Sequence, residues 1–441
     1  MVGFLKADAI PYRPLLSSPR SLSSKFFAFL ALVSLLYIAH VALPSFSLSL
    51  ARRPRNTCPP RAWAAGQPED AYEFLGLQGC ASSREVYWHM GADAERLYDR
   101  FPGVASWKWR PSSECDIEEL ETARLLKDLV EHGGWFLVGD SVTENHFFSL
   151  SCILYPHVRA TPDWTRGGFD RAWPQNLYLN PASPLLQYIN FPPGFDIETT
   201  PLVTFRRIDL LYETAQLDQI YHRLHPHSKY APNGESIFSD EPNWNVAPEE
   251  YLKLFTQPLP HGNYATMVVS TGGHWTTTML AGLKDESLFH DGIENVVSFF
   301  KEAMDVWADE VQIRLLDAAA TERQHGDRRR RAPRQVVVRA YLPGHEDCHN
   351  HRAPIKEYEH GPNGWYNWNQ ISDFNAAFES VLSSGGYPDL HFLPIDRHAL
   401  LRPDAHAASD CLHFMTGAGV LEGWTHYIWH YVTRELPGRI R

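Results

Sequence analysis

Two short clusters carry residues able to make and break an acyl bond. The first is Gly139-Asp140-Ser141, at the end of an apolar run, and the second is Asp410-x-x-His413 near the C-terminus. A serine hydroxyl is a poor nucleophile until a base takes its proton, and the base works best when a third group holds its tautomer. Asp410 and His413 stand three residues apart, so in a single turn they face the same way. Asp and Ser are equally at home as helix caps. Gly-Asp-Ser is also not the elbow of α/β-hydrolases, because Val142 follows directly and no glycine stands two residues after the serine. The chain has 22 histidines, so His413 is singled out by its pairing with Asp410.

Such groups need a frame. "WFLVG" (Trp135 to Gly139) reads as a buried strand and Val142 to about Tyr155 as the helix after it. A serine at that junction lies at the carboxyl end of a parallel sheet, where open α/β sheets place ligands. Its neighbouring helix N-terminus favours a developing oxyanion. The same rhythm recurs. Ile117 to His132 has helical spacing and stops at Gly133-Gly134. "ATMVVS" (Ala265 to Ser270), "QVVVRAY" (Gln335 to Tyr341) and Leu390 to Leu393 read as strands. Ile293 to about Ala319, Ile371 to Leu382 and roughly Val420 to Arg434 read as helices. Thr161 to Pro260, rich in Pro and Asn, is expected to hold loops and one strand near Leu202–Leu211. The alternation predicts an α/β fold with a parallel sheet covered on both faces.

Composition narrows the function classes. With 44% apolar and 13% aromatic residues the chain can bury a large core, and a net charge of −12 argues against nucleic acid as a partner. "FFAFLALVSLLYIAHVAL" (Phe26 to Leu43) is close to the minimum length for a membrane span. The long polar leader before it, and the lack of a small-x-small cleavage site, favour a retained anchor over a signal peptide. Positive charges flank it almost evenly, so orientation is not set by them. Residues 1–25 then form a tail, 26–43 the anchor, 44–70 a stem and 71–441 the main domain, with a basic low-complexity insertion over 321–334. Cys58, Cys80, Cys115, Cys152, Cys348 and Cys411 all follow the apolar run, which fits disulfides in an oxidising lumen.

The ordered set of motifs resembles the GDSL/SGNH esterase superfamily. More closely, it resembles the PC-esterase group that holds the plant trichome birefringence-like polysaccharide O-acetyltransferases and related fungal proteins, and a fungal-type member is expected. "WKWRPSSECD" (Trp107 to Asp116) is similar to that family's Trp-x-Pro-Cys block, "VGDSVTENHFFSLSC" to its GDS block, and "LRPDAHAASDCLHF" to its closing block with Arg402, Asp404, His406, Asp410, Cys411 and His413. The resemblance implies an SGNH-like three-layer α/β/α fold, a type II anchor in the Golgi membrane and a lumenal catalytic domain. It implies Ser141 as nucleophile, His413 as base, Asp410 as its orienter and the Ser141 amide as an oxyanion donor. The reaction would be acetyl transfer to a polysaccharide hydroxyl. It needs an acetyl donor, acetyl-CoA or a relayed acetyl group, with no bound cofactor and no metal.

The chain also departs from the pattern. "VVSTGGHW" (Val268 to Trp275) stands where the superfamily has an oxyanion-hole Asn, so Ser270 or the Gly272 amide is expected to fill that role. Phe414-Met415 replaces the family's Trp-Cys, so one plant-type disulfide is expected to be missing. His274, Trp275, Trp365 and Trp368 are candidate glycan contacts, and core packing is their rival reading. His345, Asp347, His349 and His351 alternate like metal ligands, but a loop tied by a Cys348–Cys411 disulfide accounts for them better. Arg206 and Arg207 could support the site or pair with Asp209, and pairing is the favoured reading. An acetylesterase of the same chemistry, or an inactive glycan-binding protein, are the alternatives to transfer.

Overall fold

The computed structural model describes residues 62–65, 77–84, 103–110, 117–324, 334–358, 365–407 and 410–438. All belong to one compact unit, Asn56–Arg441. Among the described residues no helix is long and apolar enough to cross a membrane, and the run from Phe26 to Leu43 lies outside them.

A seven-stranded sheet forms the frame. In chain order its strands are β3 (Gly134–Gly139), β4 (Val158–Thr161), β5 (Gln175–Leu179), β6 (Pro201–Arg207), β7 (Tyr264–Ser270), β8 (Gln335–Arg339) and β9 (Leu390–Leu393). In space they run β4-β5-β6-β3-β7-β8-β9. β6, β3, β7, β8 and β9 pair in parallel, while β4 and β5 pair antiparallel at one edge, so the sheet is mixed rather than purely parallel. β1 (Ala62–Ala65) and β2 (Trp107–Arg110) make a separate antiparallel pair.

Every residue of β3 and β8 is buried. That requires cover on both faces and explains why these strands read as unbroken apolar runs. The helices are α1 (Thr122–Glu131), α2 (Ser141–Ile153), α3 (Thr214–Leu224), α4 (Pro248–Phe255), α5 (Ile293–Gln324), α6 (Ile371–Leu382), α7 (Arg397–Leu400) and α8 (Val420–His430). α2 packs on α8, whereas α3, α4 and α6 pack on α5.

Residues 161–260 hold more structure than their Pro and Asn content predicts: β5, β6, α3 and α4 all lie there. The strand expected at Leu202–Leu211 is β6 and ends at Arg207. α5 extends past the expected Ala319 to Gln324. Arg334, at the far end of the basic stretch, is buried and paired with Glu322.

β3 is the pivot of the topology. The chain leaves it for β6 on one side and later returns to β7 on the other. The carboxyl ends of three adjacent strands therefore meet at Gly139, Arg207 and Ser270.

Candidate active site

Gly139 closes β3 with φ +157, and a Cβ there would lie 2.3 Å from Thr143 Oγ1 and 2.4 Å from the Ser270 carbonyl oxygen. Only a glycine lets β7 and the first turn of α2 come this near. The two readings of Asp-Ser, cap and chemistry, then divide between neighbours. Asp140 is the cap: its Oδ1 accepts from the Val142 amide at 3.0 Å. Ser141 is the first helical residue, and its hydroxyl points to His413.

Ser141 Oγ lies 2.8 Å from His413 Nε2, and His413 Nδ1 lies 2.6 Å from Asp410 Oδ2. A carboxylate only accepts, so Asp410 keeps the ring proton on Nδ1 and leaves the Nε2 lone pair for the serine hydroxyl. Burial opposes ionisation of Asp410. Hydrogen bonds from the His413 ring, and from the His413 and Leu412 amides at 2.7 and 2.8 Å, outweigh that and hold the carboxyl below its ordinary value. The three residues thus form the Ser-His-Asp arrangement that activates a serine.

α2 fixes both halves of this relay. Its first residue is Ser141, and one turn later Asn145 Oδ1 accepts from the Phe414 amide at 2.9 Å, next to His413. The turn before His413 is braced from behind. The His413 carbonyl accepts from the Ala407 amide at 2.7 Å and lies 3.1 Å from His406 Nδ1. Arg402, fully buried, donates to both carboxylate oxygens of Asp404 (2.8 and 3.1 Å) and to the carbonyls of Ala418 and Val104. The Cys348–Cys411 disulfide and a bond from the His345 amide to the Cys411 carbonyl tie the 342–351 loop to the same turn. His345 faces His406 at 2.6 Å and His351 pairs with Asp347, so the alternating residues of this loop do not converge on one point. A second disulfide, Cys80–Cys152, fastens the far end of α2.

Ser141, Asp410 and His413 open into a cavity of about 430 Å³. Of the proposed glycan contacts, His274 and Trp368 line it, whereas Trp275 is fully buried, donating to Thr271 Oγ1 and packing edge-on to Phe300. The Trp365 side chain lies outside the described residues. Ser270 is fully enclosed and does not reach the cavity. The turn after it does, through Gly273 rather than Gly272.

Tyr341 is a site residue that motif reading missed. Its hydroxyl donates to Asp140 Oδ2 at 2.7 Å, and burial, reinforced by the Asp140 charge, pushes its pKa far up, so it stays a donor. Gly273 makes room for it, since a Cβ there would lie 2.3 Å from the hydroxyl. Arg171, Arg207, Glu241, Thr276, Met279 and Leu412 complete the lining. The signal for Tyr341 and Arg207 was positional: each stands at the carboxyl end of a strand beside β3 or β7. Arg207 pairs with Asp209 at 3.0 Å, as expected, but Arg206 does not, and its buried Nε has no partner among the described residues.

Comparison with known proteins gives short matches. A stretch of 52 residues is 36% identical to Protein trichome birefringence-like 23 of Arabidopsis thaliana, covering 12% of this chain and 12% of that protein. A stretch of 48 residues is 40% identical to Protein trichome birefringence-like 24 of the same plant, covering 11% of each. The chain thus matches about an eighth of the length of these curated relatives. No family model matches it.

Proposed function

We propose that this protein is a polysaccharide O-acetyltransferase of the trichome birefringence-like kind, with an SGNH-like three-layer fold and a lumenal catalytic domain held to the Golgi membrane by residues 26–43. The observation that carries the reading is the continuous relay from Asp410 through His413 to the Ser141 hydroxyl inside a cavity. The similarity to two trichome birefringence-like proteins supports the substrate class.

In this reading Ser141 Oγ attacks the carbonyl of an acetyl donor while His413 Nε2 takes its proton. The amides of Ser141 and Gly273 bind the tetrahedral oxyanion, Gly273 taking the place of the family's Asn. His413 returns the proton to the departing donor group and leaves acetyl-Ser141. A sugar hydroxyl then gives its proton to His413, attacks the acetyl carbon and carries the acetyl group away, and Ser141 regains its proton.

The test uses the full chain in detergent, an acetyl ester as donor and a panel of cell-wall oligosaccharides, with Ser141→Ala as the control. The expected result is a sugar that gains the mass of one acetyl group only when Ser141 is present, with kcat lowered by about 10⁴-fold or more in the variant. Ser141-dependent acetate release with no gain on any sugar makes the protein an esterase. Identical behaviour of the two proteins removes Ser141 from the chemistry.

A further inference from the structure

The acyl relay leaves three charged groups of the cavity unused, Arg171, Arg207 and Glu241, and of these only Arg207 is buried. Arg207 stands opposite Gly139 in the β3–β6 register. Its side chain is only 4% exposed, yet it lines the same cavity as Ser141 and His413. The guanidinium is held rigidly. Nε donates to Asp209 Oδ1 at 3.0 Å, and the group lies 4.1 Å over the Trp244 ring. Asp209 Oδ2 in turn accepts from the Trp244 amide at 2.9 Å, so the carboxylate and the ring that grip the arginine are bound to each other.

Nε to Asp209 is the sole hydrogen bond of this guanidinium among the described residues. Its two terminal nitrogens are left for whatever occupies the cavity. Leaving such donors unmet in a buried site is costly. Two parallel N–H groups in a fixed plane match a planar carboxylate better than any neutral sugar group. Glu241 lines the same cavity, and its carboxylate can accept from a hydroxyl. The cavity therefore offers a two-toothed donor for a carboxylate and an acceptor for a hydroxyl. A uronic acid unit carries both groups.

We propose that Arg207 binds the carboxylate of an acidic sugar, with Glu241 accepting from one of its hydroxyls, so that the glycan presented to Ser141 is a uronic-acid-bearing one. This rests on Ser141 being the acyl-transferring serine. Arg207 is then a specificity residue: it recognises the acceptor and takes no part in the proton relay.

The test compares two acceptors that differ only in charge. One is an oligogalacturonide, and the other is the same oligomer after its carboxyl groups have been reduced to alcohols. The full chain is supplied with p-nitrophenyl acetate, a donor without phosphate, and acetyl gain is read by mass. The expected kcat/KM for the acidic oligomer is at least ten-fold higher, carried by KM, and Arg207→Lys, which keeps the charge but not the fork, shrinks that ratio. Equal kcat/KM for the two oligomers in the wild type, with Ser141 dependence intact, overturns the inference and leaves the proposed reaction standing. Loss of Ser141 dependence overturns both. A binding arm uses calorimetry on the Ser141→Ala protein, which cannot turn over. Galacturonate should bind, and galactose and inorganic phosphate should not. If phosphate binds as tightly as galacturonate, the fork serves a phosphorylated donor and the acidic-acceptor assignment falls. The wild-type comparison stands on its own should Arg207→Lys fail to fold.

Discussion

In the proposed reaction Asp410 shapes the imidazole that takes the serine proton, and its role can be separated from the serine's. In Asp410→Asn the amide can present an N–H to Nδ1, and the ring then carries its proton on Nε2, where it cannot act as a base. A fall in kcat of about 10⁴-fold is expected, with the fold retained by circular dichroism. The carboxyl is held below its ordinary value in the folded protein. Its contribution to stability is therefore present above the unfolded value, about 3.9, and is lost as pH falls toward the folded one. Two consequences can be measured. The acid limb of kcat/KM should show a single proton, since Asp410 stays ionised throughout it. The stability gap between wild type and Asp410→Asn should narrow only below about pH 4. Tyr341 makes a second case. Tyr341→Phe strips a donor from the fully buried Asp140 carboxylate, which should cost about 1–3 kcal/mol in urea unfolding. It should also lower kcat, because Asp140 sets the first turn on which Ser141 rides.

At the scale of elements, α2 explains what the sequence showed and what it hid. Gly-Asp-Ser, the Asp-x-x-His turn and the central strands were legible because each is a local pattern: an apolar run, a cap, a spacing of three. α2 itself has almost no polar face. Glu144, Asn145, His146, Ser149 and Ser151 are all buried in it. Each meets a partner far along the chain: Arg84 and Gln175 for Glu144, Phe414 for Asn145, Thr425 for His146, Glu422 for Ser149 and the Ser82 amide for Ser151. No window of sequence contains those partners, so periodicity could not reveal the helix's setting. The same holds for β5, whose buried side chains, Gln175, Leu177 and Leu179, alternate over five residues amid Pro and Asn. The closing block behaves likewise. Arg402 reads as one charge in a loop, but in the fold its hydrogen bonds join Asp404, Ala418 and Val104. Removing one side of that fully buried pair should be severe. Arg402→Ala is expected to lose about 3–5 kcal/mol, read by denaturant midpoint, and to abolish turnover because the His413 turn loses its backing.

The whole molecule joins a compact domain to an N-terminal apolar run. If Phe26 to Leu43 anchors the protein, the full chain should pellet with membranes and resist carbonate extraction. A chain starting at residue 56 should remain in the supernatant with its Ser141-dependent activity retained. Recovery of the full chain in the carbonate supernatant would remove the anchor from the proposal. Ser141 and His413 are separated by 272 positions, and what closes that distance is the sheet order: β3 lies at its middle, with β4, β5 and β6 added on one side and β7, β8 and β9 on the other.

The Cys348–Cys411 and Cys80–Cys152 bridges have a consequence in time. One clamps the turn bearing the base and the other the helix bearing the nucleophile. A freshly made chain with its thiols still reduced holds neither part firmly. It should meet cytosolic acyl thioesters without consuming them. If the domain is lumenal, as proposed, catalytic competence would begin with oxidation, and export would itself be the maturation step.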